Sequence, residues 1–340
     1  MRNGWKAGVA VGLIVVLAVA ACANDVVTVI DSTGRSVAVS QPVEHIASAY
    51  GIGTYYVYAL GAGDRLVAAW YVGVKSVSQA PASFRVLEPR LDEILRAGDP
   101  NVEDLAALRT DLVLADASKH ATFAEQMQGI GVPTLLLASE TAQGVVDMTL
   151  ALGAALGGDA EGRAARLVED FYRVYGVAAV AATNMPTESR PRVLFLGSTS
   201  LQVASGAMYQ TQLIEAAGGV SVSSNLAGSW NTVNLEQILV WNPDVIVIPP
   251  YGNVTVAALL ANPDWRSVRA IQTGRVVKMP RVFGPMDTPL PESLLGVMWL
   301  SSAFYPERAI FDVRTEAVDF YETYYGYALS SEEADAFLIP

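Results

Sequence analysis

The sequence predicts an α/β fold of two Rossmann-like lobes, each a parallel sheet with flanking helices, joined by one long α-helix with a ligand cleft between the lobes. Three observations carry this. Short apolar runs alternate with helix-patterned stretches, one segment recurs at an offset of 133 residues, and a proline-free run of helical spacing separates the two copies. The apolar runs are Val26–Ile30, Leu112–Ala115, Thr134–Leu137, Val193–Leu196, Val245–Ile248 and Val276–Met279. They are rich in Val, Ile and Leu and do not alternate, as expected of parallel strands covered on both faces. Helical stretches between them give the βαβ order of this class.

Composition narrows the function. The chain has 340 residues, 34 acidic against 22 basic side chains, one Cys and two His. One Cys excludes an internal disulfide, a thiolate zinc cluster and an iron–sulfur centre. A net charge of −12 argues against a nucleic-acid surface, because phosphate affinity comes from Lys and Arg. No Gly-x-x-x-x-Gly-Lys-Ser/Thr loop, no complete Gly-x-Gly-x-x-Gly and no Gly-x-Ser-x-Gly elbow occurs, so no enzyme signature is found. No resident cofactor is expected.

The elements follow in order. Residues 1–21 carry Arg2 and Lys6, then an apolar run from Ala7 to Ala21, the pattern of a secretory leader. The run is short for a permanent span of about 20 residues. Val19-Ala20-Ala21-Cys22 resembles a prokaryotic lipobox, which makes Cys22 the candidate lipidation site. Removing residues 1–21 takes away two positive charges and no negative one, so −12 becomes −14. Such a body is expected to be held at a membrane by lipid rather than by a basic patch.

Asp31-Ser-Thr-Gly34 reads as a hairpin turn between Val26–Ile30 and Ser36–Val39. The repeat lays Asn101-Val-Glu103 through Asp111 and Leu112–Ala115 on Asn234-Leu-Glu236 through Asp244 and Val245–Ile248. In each copy Asn can cap a short helix, Glu occupies its first turn, and Asp precedes a buried strand. A spacing of 133 residues means two lobes rather than a solenoid, whose period is about 20–50 residues. Between the copies, Asp159–Asn184 places Leu167, Phe171, Val174 and Ala178 at helical spacing, and Met185-Pro186 ends the run. Such a helix is about 39 Å long and stiff, permitting rocking rather than wide hinge closure. The expected organisation is a leader (1–21), an N-terminal lobe (22–158), a linker helix (159–185) and a C-terminal lobe (186–340).

With these pieces in place the chain resembles the helix-linked class of extracytoplasmic substrate-binding proteins that serve ABC importers of iron–siderophores, haem and cobalamin. The resemblance rests on the hairpin Val29–Val37, on Ala59-Leu-Gly-Ala-Gly-Asp-Arg-Leu66 and on the two Asn-x-Glu helices with their strands. It extends to the long helix and to Leu295–Leu300 running into Phe304-Tyr-Pro-Glu307. It implies a monomeric receptor that performs no chemistry, with a permease and an ATPase as partners and a metal chelate as cargo. It also implies that Glu103 and Glu236 pair with the permease, one from each lobe, which suits a carboxylate repeated by pseudo-symmetry.

Ligands of open α/β sheets bind beyond the carboxyl ends of the strands. Loops at those ends offer Tyr50, Trp70, Tyr71, Lys119, His120, Tyr209, Trp230, Tyr251, Arg281, Phe283 and Asp287 as candidate ligand-binding residues. An aromatic cleft with a few cations suits a bulky anionic or macrocyclic chelate. For any single aromatic, packing is as good a reading as ligand contact. Direct capture of a bare ion would need more imidazoles than His45 and His120. The expected cargo is an iron complex of the ferric siderophore kind; cobalamin, haem, or a sensor or adhesion role on the same fold stay open.

Overall fold

The computed structural model describes residues 25–183, 186–308 and 310–339. The leader and Cys22 lie outside the described residues. So do Asn184 and Met185, where the sequence places the end of the linker. No helix among the described residues is long and apolar enough to cross a membrane.

Twelve strands are described: β1 (Val26–Ile30), β2 (Ser36–Ser40), β3 (Ile46–Ser48), β4 (Leu66–Ala69), β5 (Leu112–Asp116), β6 (Thr134–Leu137), β7 (Arg192–Phe195), β8 (Gln202–Val203), β9 (Val220–Ser221), β10 (Asn231–Thr232), β11 (Val245–Ile248) and β12 (Val276–Lys278). They include two four-stranded parallel sheets, ordered β4-β3-β5-β6 and β9-β7-β11-β12. Taken in chain order within each lobe, both sheets run 2-1-3-4. The topology is therefore duplicated, as the repeat predicts. β5, β6 and β11 are fully buried apart from the terminal Asp116, which is why their sequences show no alternation. The two-residue strands β8, β9 and β10 are too short to leave a periodic signal.

The repeat's polar identities sort into distinct jobs. Asn101 and Asn234 cap their helices, each side chain accepting from the backbone N–H three residues on, at 3.0 and 2.9 Å. Asp111 accepts the N–H groups of Glu44 and His45 at 3.0 and 2.8 Å, fixing the start of β3 beside β5. Asp244 does the same for β7 beside β11, accepting from Arg192 at 2.9 Å. Even the backbone is repeated. Arg109 (φ 54°) and Asn242 (φ 41°) are the non-glycine residues with positive φ among the described residues, and they occupy equivalent positions. His45, at the base of β3 beside Asp111, lies at the opposite end of the sheet from the cleft loops.

The linker helix is described over Asp159–Thr183, and Asn184, the last residue of the helical run that the sequence pattern marks, lies outside the described residues. Its stripe of Ala160, Ala164, Leu167, Phe171, Val174, Ala178 and Ala182 is buried. The C-terminal lobe is expected to be residues 186–340. Its sheet lies within residues 192–278, but from Val282 onward the chain returns to the N-terminal lobe. Val282 accepts from Ser83 at 2.7 Å, Phe283 packs edge-on to Phe84 with centroids 5.7 Å apart, and Pro289 accepts from Tyr56 at 3.2 Å. One aromatic core therefore joins both lobes, through Tyr55, Phe84, Phe283, Tyr321 and Tyr325.

The opening hairpin β1–β2 is fastened to β6 by Asp31. Its Oδ1 accepts from the Thr33 amide and hydroxyl and the Arg35 amide, and its Oδ2 from the Arg35 guanidinium and the Leu136 amide. Burial by itself raises the pKa of this carboxyl. The hydrogen bonds from Thr33, Arg35 and Leu136 outweigh it and hold the group below its ordinary value. Asp31 thus adds stability above the unfolded value near pH 4 and loses it as the pH falls through the lower folded value. Asp31→Asn is expected to cost about 2 kcal/mol at pH 7. In denaturant melts between pH 7 and pH 3, the gap between variant and wild type should close on the acid side.

Candidate functional site

At the carboxyl ends of β3, β4, β5 and β6 lies a hollow of about 470 Å³. Tyr50, Trp70, Tyr71, Lys119 and His120, five of the sequence-predicted residues, line it. Its floor is braced from below. Thr54, fully buried in the first turn of helix Gly51–Ala59, donates to the Trp70 carbonyl at 2.7 Å and lies 2.9 Å from the Ser48 hydroxyl. The ends of β3 and β4 are thereby tied to one helix.

The five residues have different freedom. The Tyr50 hydroxyl lies 2.7 Å from Ser139, joining the ends of β3 and β6. Trp70 is half-buried and donates its indole N–H to the Gly98 carbonyl at 2.7 Å, leaving a face of the ring at the hollow. Tyr71 borders the hollow, but its ring packs on Phe84 at 5.0 Å and its hydroxyl meets Tyr58 at 2.8 Å. Tyr58 in turn donates to Glu88, which pairs with Arg90 at 2.9 Å. Tyr71 is therefore a core residue at the cleft's edge.

Lys119 is exposed and pairs with Asp116 at 3.1 Å. Asp116 also accepts the Ser118 amide and hydroxyl at 2.8 and 2.7 Å. Burial pushes this carboxyl up, but the Ser118 and Lys119 contacts outweigh it, so its pKa lies below the ordinary value. His120 Nδ1 accepts from the Asp116 amide at 3.2 Å, which leaves the proton of the neutral ring on Nε2. Burial lowers its pKa, and the field of Asp116 only partly restores it. Among the described residues no three His, Cys, Asp or Glu converge as a metal-binding group.

Sequence reasoning missed the acids of this wall. Asp99, Asp116 and Glu140 line the hollow beside the single cation Lys119, leaving an excess of negative charge. The available signal was the placement of Asp116 at the very end of a buried strand.

The C-terminal candidates scatter. Tyr209 is buried and donates to Ser293 at 3.0 Å, with Tyr175 of the linker helix at 3.5 Å, so it serves the inter-lobe core. Trp230 is half-buried against the same core. Tyr251 is half-buried and donates to Asp287 at 2.7 Å. Arg281 gives its Nε–H to the Phe283 carbonyl at 2.9 Å. Phe283 and Asp287 are fully buried, so neither forms a cleft wall. The reason is the chain's return across the lobes. Pro280, Pro285, Pro289 and Pro291, which preclude a regular strand or helix, were its sequence signal.

Glu103 and Glu236 stand in equivalent first turns of helices Val102–Ala107 and Leu235–Trp241. Both are exposed, and neither side chain has a hydrogen bond or ion pair among the described residues. The Glu103 helix starts directly after Gly98 and Asp99 of the hollow's rim. The repeat therefore uses its Asn and Asp for folding and presents its Glu to solvent.

Comparison with known proteins agrees with this architecture. Residues 46–282 match the periplasmic binding protein family. The chain is 24% identical over 288 residues to the molybdate-binding protein MolA of Haemophilus influenzae, covering 77% of this chain and 82% of that one. It is 28% identical to the Fe(3+)-citrate-binding protein YfmC of Bacillus subtilis, over 54% of this chain and 58% of the relative. The crystal structure of a periplasmic solute binding protein from Veillonella parvula superposes with a TM-score of 0.82 at 24% identity, covering 92% of this chain and 97% of that one. A duplicated 2-1-3-4 sheet, a single linking helix, a cleft at the strand ends and a family match across both lobes lead to one conclusion: this chain belongs to the periplasmic binding protein family, as a non-enzymatic, helix-linked substrate-binding protein of an ABC importer.

Proposed function

We propose that the protein is a lipid-anchored receptor that captures an electrically neutral iron(III) chelate of the trihydroxamate type and delivers it to its permease. The charge of the N-terminal wall carries this reading. Lys119 is neutralised by Asp116, Asp99 and Glu140 remain, and Arg281 is committed to the Phe283 carbonyl. Of the cations offered to an anionic chelate, Lys119 is thus already paired, and Arg281 has its Nε–H engaged and its guanidinium turned into the protein, with Nη2 buried. An anionic cargo would meet repulsion of about 1–4 kcal/mol per charge pair at ~4 Å, depending on how far water reaches. A neutral chelate meets none and can stack on Tyr50 and Trp70. Cobalamin is the second reading, because the same wall admits a bulky ligand without net negative charge.

The relatives support a chelate or oxyanion cargo in general, since two of them are named for molybdate and for ferric citrate. They do not share one ligand, so the wall's charge is the discriminating observation. Trp70 supplies an intrinsic reporter. Titration with ferrioxamine-type chelate should quench its fluorescence and raise Tm as RT ln(1 + [L]/Kd). Ferric citrate should do neither at the same concentration, and Trp70→Phe should remove most of the optical signal. Binding of ferric citrate in preference to the neutral chelate would refute the charge argument.

Docking and anchoring follow the same reading. Glu103 and Glu236 are the carboxylates that the permease's cations engage, and Cys22 carries the lipid. The double variant Glu103→Ala, Glu236→Ala should lower uptake by at least about tenfold while Kd stays within about twofold, because a docking pair acts on the partner rather than on the ligand. Normal uptake in that variant would favour a sensor role or a different docking face. Cys22→Ser should move the protein from the membrane to the soluble fraction.

A further inference from the structure

The segment that returns from the C-terminal lobe carries two fully buried carboxylates, Asp287 and Glu292, satisfied in different ways. Glu292 receives one donor on each oxygen, from the Gly284 amide at 3.3 Å and the Tyr325 hydroxyl at 2.8 Å. Asp287 receives both of its donors on one oxygen. Gln210 Nε2 at 3.1 Å and the Tyr251 hydroxyl at 2.7 Å both reach Oδ2. Asp287 Oδ1 and Gln210 Oε1, the remaining oxygens of two side chains already in contact, are both buried without a partner.

For an ionised acid this arrangement is unfavourable. A buried acceptor left without a donor keeps its full desolvation penalty, and the penalty grows when the acceptor is charged. A single proton on Oδ1 supplies the donor that both oxygens lack and closes a cyclic acid–amide pair. We propose that Asp287 is protonated in the native protein at neutral pH and shares that proton with Gln210, and that this neutral pair is a pH-sensitive fastening of the returning segment to helix Tyr209–Ala216.

The groups around the fastening come from four elements. Gln210 belongs to helix Tyr209–Ala216, Tyr251 to the loop after Ile248, and Arg281 to the turn after Lys278; Glu292 follows on Asp287's own segment. Arg281 is the cation among them. It favours ionisation, yet it forms no ion pair with either acid among the described residues, and its Nη2 is itself buried without a partner. Burial, the larger effect, raises the pKa of Asp287, and the bonds from Tyr251, Gln210 and its own backbone amide, with the field of Arg281, do not cancel it. Once ionised, Asp287 presents charge to Gln210 Oε1, so the amide has to turn, while Oδ2 still accepts from the Tyr251 hydroxyl.

A carboxyl raised in the folded state contributes stability below its unfolded value near pH 4, and that contribution is lost as the pH rises through the folded value. Relative to a variant without the titration, the folding equilibrium constant falls by at most about tenfold per pH unit across that window. Asp287→Asn is the decisive variant, because its amide mimics the neutral acid in shape and donors. At pH 8 the variant should be at least as stable as the wild type, with a flatter stability profile from pH 5 to pH 9. Wild-type protein labelled with ¹³C-aspartate should show the infrared carbonyl band of a protonated carboxyl, shifting in D₂O and missing from the variant. A variant less stable by about tenfold or more in its folding constant at pH 8, or a wild type lacking that band, would mean an ionised Asp287 and overturn the proposal. The infrared test on wild-type protein stands alone if the variant does not fold.

Discussion

Everything about this cleft depends on how the linker helix Asp159–Thr183 is held. Its buried stripe includes Leu167, Phe171 and Val174, each contributing about 1.5–3 kcal/mol on burial. Polar fastenings then set its direction. Arg163 donates to the Ala59 carbonyl at 3.0 Å and to Thr323 and Tyr324 at 3.0 and 2.9 Å, so one guanidinium caps the carboxyl ends of two helices. Tyr324 donates to Asp170 at 2.6 Å. The Arg173–Glu316 pair at 3.0 Å is half-exposed and adds little beside the apolar stripe. The helix is thus anchored to helix Gly51–Ala59 of one lobe and to helix Val313–Tyr325, not left as a free rod between two bodies.

The return of the chain after Val282 completes the constraint. Phe283, from sequence beyond the second sheet, packs on Phe84 of the first lobe, which in turn packs on Tyr55, and Tyr321 packs on Phe283. Opening the lobes widely would expose this aromatic core, whose members each bury roughly 150–250 Å². The cleft is therefore largely formed before ligand arrives. A receptor of this kind selects cargo by the shape and charge its walls already have. That is why an acidic excess on the N-terminal wall, with its lone lysine already paired, weighs so heavily in the choice of ligand. The same core sets the separation of the exposed Glu103 and Glu236, on which the proposed docking rests.

Much of this was legible in the sequence, and the failures share a cause. Buried runs such as Leu112–Ala115 and Val245–Ile248 could be read because a strand covered on both faces loses its alternation. The repeat was readable because Asn101, Asp111 and their counterparts must recur wherever the same cap and the same strand latch recur. Tyr50, Trp70, Lys119 and His120 do fall at the hollow, because the strand-end rule fixes position along the sheet. Phe283, Asp287 and Tyr209 do not, and Tyr71 only borders it, because the rule says nothing about where a chain goes next or which way a ring turns. A tyrosine at a strand end has the same letter whether its hydroxyl meets Tyr58 or a ligand. Asp99 and Glu140 were not legible because they lie in bends between elements, where no periodicity ties a carboxylate to the strand ends.

If the lobes form one body, the distance between them is single-valued and indifferent to ligand. Spin labels at Gln128 of the first lobe and Val240 of the second, both exposed, can be placed in a Cys22→Ser background. Pulsed electron–electron double resonance on ligand-free protein should give a single narrow distribution. Addition of a neutral ferric chelate should move it by less than about 2 Å, the scale of preorganised binding sites. A broad or bimodal distribution in the free protein, collapsing to a shorter distance with ligand, would show a hinge and rule out a single rigid body.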